Sequence, residues 1–364
     1  MKILFVVPYP LGRSPSQRFR FEQYFKILTA AGYEFKTESF YNNAGWNALY
    51  SSGNIAGKFF ALVRGFINRT LLVFRLAPYE YIFLHREATP VGPPVFEWIA
   101  AKVFGKKIIY DFDDAIWTTD NSSENSLSKF IRWRQKTNFI CNVASVVSCG
   151  NGYLAAYAKQ FNTNVIVNPT TIDTSYHIPR TNASHPGVVI GWTGSHSTLK
   201  YLDELLPAIA QLEKSLPGLI FKVIADRDPK LQVASFRFVR FSEEHEIADL
   251  SDFDIGIMPL PNDEWAKGKC GFKALQYMSL AIPAVASPVG VNSEIIKDGE
   301  SGFLCSSMDE WIVKLTILIN DVELRQRMGK AGREAVEKNY SVTSNSSNFL
   351  GLFELSASKT SASR

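Results

Sequence analysis

Residues 254–305 read DIGIMPLPNDEWAKGKCGFKALQYMSLAIPAVASPVGVNSEIIKDGESGFLC. Two short apolar runs, Asp254–Met258 and Ala284–Ala286, flank a helical pattern at Phe272–Leu280, and a third run follows at Gly302–Cys305. Short strand-like runs separated by helical patterns predict βαβ units and a parallel sheet. The helix opens on Lys267-Gly268-Lys269-Cys270-Gly271-Phe272-Lys273, two glycines and three lysines. Phe272, Leu275 and Met278 are expected to face the core, while Lys273 and Gln276 share another side at i, i+3 spacing. Backbone N–H groups, the helix dipole and Lys269 would then converge on one anion-sized volume. A solvated basic loop is the plainer alternative.

The same alternation extends outward to both ends of the chain. Further strands are expected at Gly187–Trp192, Leu219–Ala225 and Val239–Phe241, with helices at Thr198–Ser215, Glu244–Leu250 and Asp309–Asn320. The first half repeats the pattern. Its strands are expected at Ile3–Val7, Glu34–Phe40, Tyr81–His85, Lys107–Tyr110, Ser145–Ser148 and Asn164–Val167. Its helices are expected at Gln17–Ala31, Gly57–Leu76, Pro94–Val103, Ser126–Val143 and Gly152–Phe161. Residues 168–186, with three prolines and no apolar periodicity, read as a linker. The expected division is therefore 1–167, linker 168–186, and 187–338. Residues 339–355 form a C-terminal helix that can pack back on the first domain, and 356–364 a disordered tail. Two doubly wound α/β domains would face each other across a cleft, with ligands beyond the carboxyl ends of their strands.

Composition narrows the function classes. At 364 residues and 46% hydrophobic, the chain can bury two cores and is not a disordered polymer. Cys141, Cys149, Cys270 and Cys305 form no metal-ligand spacing and are expected as buried reduced thiols. Met1–Pro8 is too short for a signal-peptide core, and no apolar run is long enough to span a bilayer. These features predict a cytoplasmic protein. The net charge of +4 hides an asymmetry: residues 1–167 hold 19 Lys+Arg against 11 Asp+Glu, and residues 168–364 hold 20 against 24.

Two more strand-to-helix loops sit where the doubly wound rule places a ligand. Gly191-Trp192-Thr193-Gly194-Ser195-His196-Ser197 can bring backbone close to a phosphate at Gly194 and Ser195, although a structural turn uses the same residues. Ser287–Glu294 is the other, and Glu294 near a helix start has a plain dipole explanation.

On these residues the second half resembles the donor-binding half of family 4 glycosyltransferases of the GT-B fold. That family carries Glu-x7-Glu, whose first Glu contacts the donor sugar, whose last contacts the ribose, and whose intervening glycine cradles the diphosphate. Laid on this chain, those positions are Gly268, Gln276 and Gly271. Only the glycine is kept. Gln276 becomes a neutral ribose partner, and Lys200 lies close to the family's diphosphate lysine. Asp298-Gly299 and Gly302 resemble the family's DGxxGxL turn. The resemblance implies a metal-independent sugar transfer with retention of configuration, a nucleotide sugar as donor substrate, and no cofactor.

In the first half, Tyr110-Asp111-Phe112-Asp113-Asp114 ends a strand with three aspartates in four residues, a repulsive arrangement unless something balances it. The aspartates could bridge a divalent ion, bind Arg86 or Arg132 structurally, or line an acceptor pocket. In the third case Asp113 falls roughly where the resembled family often places a His, and could orient or deprotonate an acceptor hydroxyl. His85 borders the same edge. Candidate catalytic residues are thus Asp113, Asp114 and His85. Gly12, Arg13, Arg18, Arg20 and Asp111 are candidates for acceptor binding, the arginines being suited to a phosphate. Ser14 or Ser16 can cap the helix that follows.

No acidic residue occurs between Glu38 and Glu80. On a helical wheel Lys58, Arg64, Arg69 and Arg75 share one side, and Phe59, Val63, Phe66, Ile67, Val73 and Phe74 take the other. A basic amphipathic helix of this kind predicts contact with an anionic membrane surface; an ordinary surface helix packed by its apolar side is the alternative. Aromatics do not alternate with the basic residues, which argues against nucleic acid.

Together these readings describe a peripheral glycosyltransferase of the hexosyltransferase type on the inner face of the cell membrane. Its donor would be a nucleoside-diphosphate sugar. Phosphates would be held by Gly194, Ser195, Lys200, Lys269, Gly271, Phe272 and Lys273, and ribose or sugar by Gln276, Gly268 and Glu294. The acceptor would be a saccharide or lipid-linked saccharide, with no metal ligand set. A nucleotide-sugar epimerase and a non-catalytic nucleotide-sugar-binding protein are the rival readings.

Overall fold

The computed structural model describes residues 1–51, 53–118, 133, 135–179 and 187–358. Expectations for Arg132, for the start of the Ser126–Val143 helix and for the end of the tail lie outside these residues. The chain divides into two compact units, Met1–Thr170 with Asn345–Arg364, and Thr171–Ser344. Residues 168–170 therefore stay with the first unit and 171–179 with the second.

The first unit is built on a six-stranded sheet of order β2-β1-β3-β4-β5-β6. Its strands are β1 (Lys2–Val7), β2 (Glu34–Ser39), β3 (Tyr81–His85), β4 (Lys107–Phe112), β5 (Val146–Cys149) and β6 (Val165–Val167), all paired in parallel. Runs such as Ile3–Val7 and Tyr81–Leu84 are buried end to end, as strands covered on both faces must be. Phe5, Phe21 and Phe83 pack with ring centroids 4.9–5.5 Å apart. The last helix, Ser346–Ser358, belongs here. Phe349 stacks on Tyr24 at 4.2 Å, and Phe353 meets Tyr81 edge-on.

The second unit carries a second six-stranded parallel sheet, order β12-β11-β10-β7-β8-β9. Its strands are β7 (Val189–Gly194), β8 (Ile220–Ala225), β9 (Phe236–Arg240), β10 (Ile255–Met258), β11 (Ala284–Ala286) and β12 (Gly302–Leu304). The order reverses between β7 and β10, the switch point at which doubly wound sheets open a crevice. Trp192, Phe221, Leu315 and Leu318 lie in its core. All four cysteines are buried free thiols.

Helices depart from expectation more than strands. Gln17–Ala31 is not one helix but α1 (Pro15–Arg18), a 3-10 turn at Glu22–Tyr24, and α2 (Phe25–Ala30). Asn42 and Asn54 cap α3 (Asn43–Tyr50) and α4 (Ile55–Val73), accepting from the N–H groups of Gly45 and Gly57. The orientation of α4 goes against the alternative of a helix packed by its apolar side, and it corrects Arg69, expected on the basic side but buried. Gly65, Arg69 and Leu72 face inward, and a Cβ on Gly65 would lie 2.3 Å from the Phe40 ring. Phe59, Phe60, Ile67 and Phe74 face outward.

Candidate functional site

In the second unit the three strand-end loops meet. Gly271 opens the helix Phe272–Ser279 with φ +67°, a left-handed conformation suited to glycine, and a Cβ there would come within 2.1 Å of Ile295 Cδ1. The adjoining loop crosses so closely that a Cβ on Gly290 would lie 2.8 Å from the Lys267 carbonyl. Tyr277 ties helix to sheet: its hydroxyl accepts from the Thr193 N–H at 3.1 Å and donates to the Ile257 carbonyl at 3.3 Å. Lys273 Nζ stands 5.3 Å from the centroid of the Trp192 ring, and a Cβ on Gly194 would lie 2.5 Å from that ring. Lys269 Nζ lies over Trp265 at 4.7 Å. Gly194, Gly271, Lys269 and Lys273 are therefore brought to the carboxyl edge of one sheet by tight backbone packing and two tryptophan faces. Gly268 caps the short helix Glu264–Lys267, and Phe272 is only half-buried. Ser195 shares a 2.8 Å hydrogen bond with Ser197, and Lys200 Nζ lies over Tyr201.

Two expected donor contacts are not in this group. Gln276 is 1% exposed and donates from Nε2 to Glu246 Oε1 at 2.9 Å, so its amide is turned into the protein. Glu294 is exposed on the helix Asn292–Ile295, and its charge acts on the Tyr340 hydroxyl. Asn292, not among the residues expected at this site, also lies against it. This buried side chain donates to the Ser287 carbonyl at 3.1 Å, and its Oδ1, without a partner among the described residues, would lie 3.4 Å from a Cβ on Gly271. Its position in a Val-Gly-Val-Asn turn was the available signal. On the same strand edge a cavity of about 330 Å³ opens among Pro259–Asn262, Ser287–Val289, Cys305–Met308 and Trp311, and neither lysine lines it.

The first unit concentrates charge at the ends of β3 and β4. Asp111 is fully buried. One carboxylate oxygen, Oδ1, accepts from Arg20 and from Ser148 Oγ at 2.6 Å, and the other faces His85 Nδ1 at 2.9 Å. Burial alone would raise the Asp111 carboxyl, but the Arg20 guanidinium and His85 override it and hold the group well below the usual carboxylate range. Asp113 Oδ1 accepts from Arg86 Nε and Nη2 at 2.9 and 2.7 Å, and Asp114 accepts from Nη2 at 2.6 Å. Burial opposes ionisation of Asp113, and Arg86 reverses that. Arg86 sits at φ +59°, an uncommon backbone conformation for a side-chain-bearing residue.

This arrangement corrects the acceptor assignments. Arg20 and Asp111 are 1% and 0% exposed and bind each other, so neither offers atoms to a ligand. The aspartate cluster is balanced by Arg86 and Arg20, the structural reading, with Asp113 and Asp114 still partly accessible. Ser14 is the N-cap of α1 but its side chain makes no cap hydrogen bond. Gly12, at φ +79°, gives its N–H to Glu22 Oε2 at 2.9 Å. Arg13 is exposed, and Arg18 lies over Phe19. Ser16, expected only as a cap, instead places Oγ 2.7 Å from His85 Nε2.

Sucrose-phosphate synthase from Thermosynechococcus elongatus superimposes with a TM-score of 0.71, covering 97% of this chain and 98% of that one at 14% identity. Anabaena HepE in complex with UDP gives 0.66 over 97% and 100%, also at 14% identity. A glycosyltransferase from Rickettsia africae gives 0.69 over 97% and 98% at 15%. Residues 187–321 match the family described as Glycosyl transferases group 1. Over its whole length the chain has the GT-B fold of these glycosyltransferases. The sulfoquinovosyl transferase SQD2 of Arabidopsis thaliana is 33% identical over 90 residues, 23% of this chain and 17% of that protein. The group 1 match contains the whole of the Gly191–Ser197, Lys267–Lys273 and Ser287–Glu294 loops, so the lysines and glycines of those loops all lie within the matched residues.

Proposed function

We propose that the protein transfers a sugar from a nucleoside-diphosphate sugar to a saccharide acceptor held close to a membrane surface. The observation that carries this reading is the convergence of three strand-end loops on Gly271, Lys269, Lys273 and Gly194, inside the group 1 match. When the bond from anomeric carbon to phosphate breaks, negative charge grows on the departing diphosphate. Lysines fixed over tryptophan faces and the N-terminus of the Phe272–Ser279 helix are placed to offset that charge. UDP and UDP-glucose are ligands of HepE in its solved complexes, which supports a nucleotide donor of this class here. We expect the configuration at the anomeric carbon to be retained, as in the resembled family.

The acceptor side rests on the first unit. Arg13 and Arg18 border the end of β1, where an acceptor phosphate would find cations. Outward-facing phenylalanines along α4 and at its end, flanked by Arg64 and Arg75, support a lipid-linked acceptor met at an anionic bilayer surface. Among the described residues no helix is long and apolar enough to cross a membrane.

The test is mass spectrometry of products after incubating the protein with UDP- and GDP-sugars and lipid-linked saccharides. Sugar added to an acceptor is the expected result. Conversion of the nucleotide sugar without acceptor would favour an epimerase, and binding without conversion a non-catalytic protein.

A further inference from the structure

The cavity of about 330 Å³ in the second unit shares only the Ser287–Val289 turn with the phosphate-side loops. Its walls combine polar groups that lack partners with apolar surface. Trp311, on the helix Met308–Asn320, packs in the core of the unit and is 6% exposed, yet it also lines the cavity. Its indole N–H meets no acceptor among the described residues. A buried donor left unpaired is costly, and an oxygen of a bound ligand would relieve it. Ser287 is nearly as buried. Its Oγ accepts from the Leu260 N–H at 3.0 Å, which leaves its own hydrogen to donate. Glu204 and Asn262 line the cavity as well; both are exposed, and neither side chain has a hydrogen-bond partner among the described residues.

We propose that this cavity binds one uncharged monosaccharide, at a site of its own apart from the diphosphate loops. Charge excludes the anionic ligands. Among the described residues that line it none is Lys, Arg or His, and the Glu204 carboxylate would repel a phosphate or a nucleotide. Size excludes the larger ones. The volume stands at the lower end of the roughly 300–1,000 Å³ of small-molecule pockets, room for one sugar ring and not for an oligosaccharide. The polar groups match a ring that carries several hydroxyls, each of which can both donate and accept. Trp311 and Ser287 supply donors, Glu204 a charged acceptor, and the Asn262 amide both. Leu205, Leu260 and Val289 offer apolar surface to the C–H faces of the ring. The site stands whether or not the protein transfers sugar, because neither Lys269 nor Lys273 lines it.

Saturation-transfer NMR on the full chain tests this, with D-glucose, D-galactose, D-mannose and N-acetyl-D-glucosamine as probes. At least one of them should receive saturation from the protein, and the transfer should persist when UDP and GDP are added in excess. Glu204→Ala removes an exposed side chain that has no partner, so the melting temperature should stay unchanged. The same variant should weaken binding of that sugar by about tenfold or more, the span of a lost charge-assisted hydrogen bond. Trp311→Phe keeps an aromatic ring and removes the indole N–H, and should weaken binding by about fivefold. Should Trp311→Phe fail to fold, Glu204→Ala still decides. Transfer to none of the four sugars would overturn the proposal, as would wild-type affinity in Glu204→Ala. Loss of the sugar signal on adding UDP or GDP would make the cavity part of the nucleotide site and overturn it as a separate one.

Discussion

Replacing Phe59, Phe60 and Phe74 together by serine should detach the protein from anionic vesicles without unfolding it. The three rings are 60%, 70% and 78% exposed on the outer side of α4. Full burial of a phenylalanine contributes roughly 1.5–3 kcal/mol, so rings with this much surface left to bury supply about 1–2 kcal/mol each at an interface. Losing all three removes about 3–6 kcal/mol, which is about two to four powers of ten in partitioning. Arg64 and Arg75 add roughly 1 kcal/mol each near anionic headgroups, and salt screens that part. Arg69 adds nothing to the outer face. It is buried, and its guanidinium donates to the carbonyls of Ala88, Glu38 and Val7 at 2.8–2.9 Å, which pins the helix with its phenylalanines outward. Vesicle flotation with phosphatidylglycerol should show wild-type binding that weakens with salt, and none for the triple variant at the same lipid concentration. A triple variant that floats like the wild type would refute the orientation argument.

Two further predictions concern buried carboxylates. Gln276→Glu places a second carboxylate against Glu246 across a contact now 2.9 Å long, so one of the pair must take up a proton. Its stability should drop by about 3 kcal/mol at pH 8 and recover toward pH 5, without tighter donor binding; an undiminished melting temperature at pH 8 with stronger binding would instead put residue 276 at the ribose. Asp111 is held ionised in the fold, so its contribution is present above the ordinary carboxylate range near 4 and fades as pH falls toward its depressed native value. Asp111→Asn should lower the urea midpoint at pH 7, by about 3–5 kcal/mol of stability, and the gap should narrow below pH 4. A gap independent of pH would contradict the assignment.

Strand positions were legible from the sequence because both sheets are parallel and covered on both faces, which writes them as unbroken apolar runs such as Ile3–Val7 and Ile255–Met258. Helix limits were less so. Gln17 and Arg20 look like positions on a continuous helix, yet each is committed to distant groups, Tyr9 and Asp111, and the chain breaks into short turns to deliver them. Spacing located the phosphate-side loops, since glycines and lysines there act through backbone and local position. It could not foresee that Gln276 turns to Glu246, thirty residues away, or that Arg69 satisfies three carbonyls from separate segments. Ser16 was hidden for the same reason: its partner, His85, lies 69 residues along the chain.

The excess of basic residues in the first half also takes a different meaning. Arg20 and Arg69 are internal struts, so the cations available to ligands there are fewer than the composition suggests. Arg86 likewise neutralises Asp113 and Asp114. Arg13 beside the strand ends, Arg64 on α4 and Arg75 just beyond it are among the cations that remain exposed.

Calorimetric titration of UDP and GDP into the wild type and into Lys269→Ala/Lys273→Ala tests the central claim most directly. One of the two nucleotides should bind the wild type. The double variant should lose at least about tenfold in affinity at an unchanged melting temperature, since a charge-assisted hydrogen bond contributes about 1.5–3 kcal/mol. Binding of neither nucleotide, or equal binding by the variant, would contradict a diphosphate site on these loops.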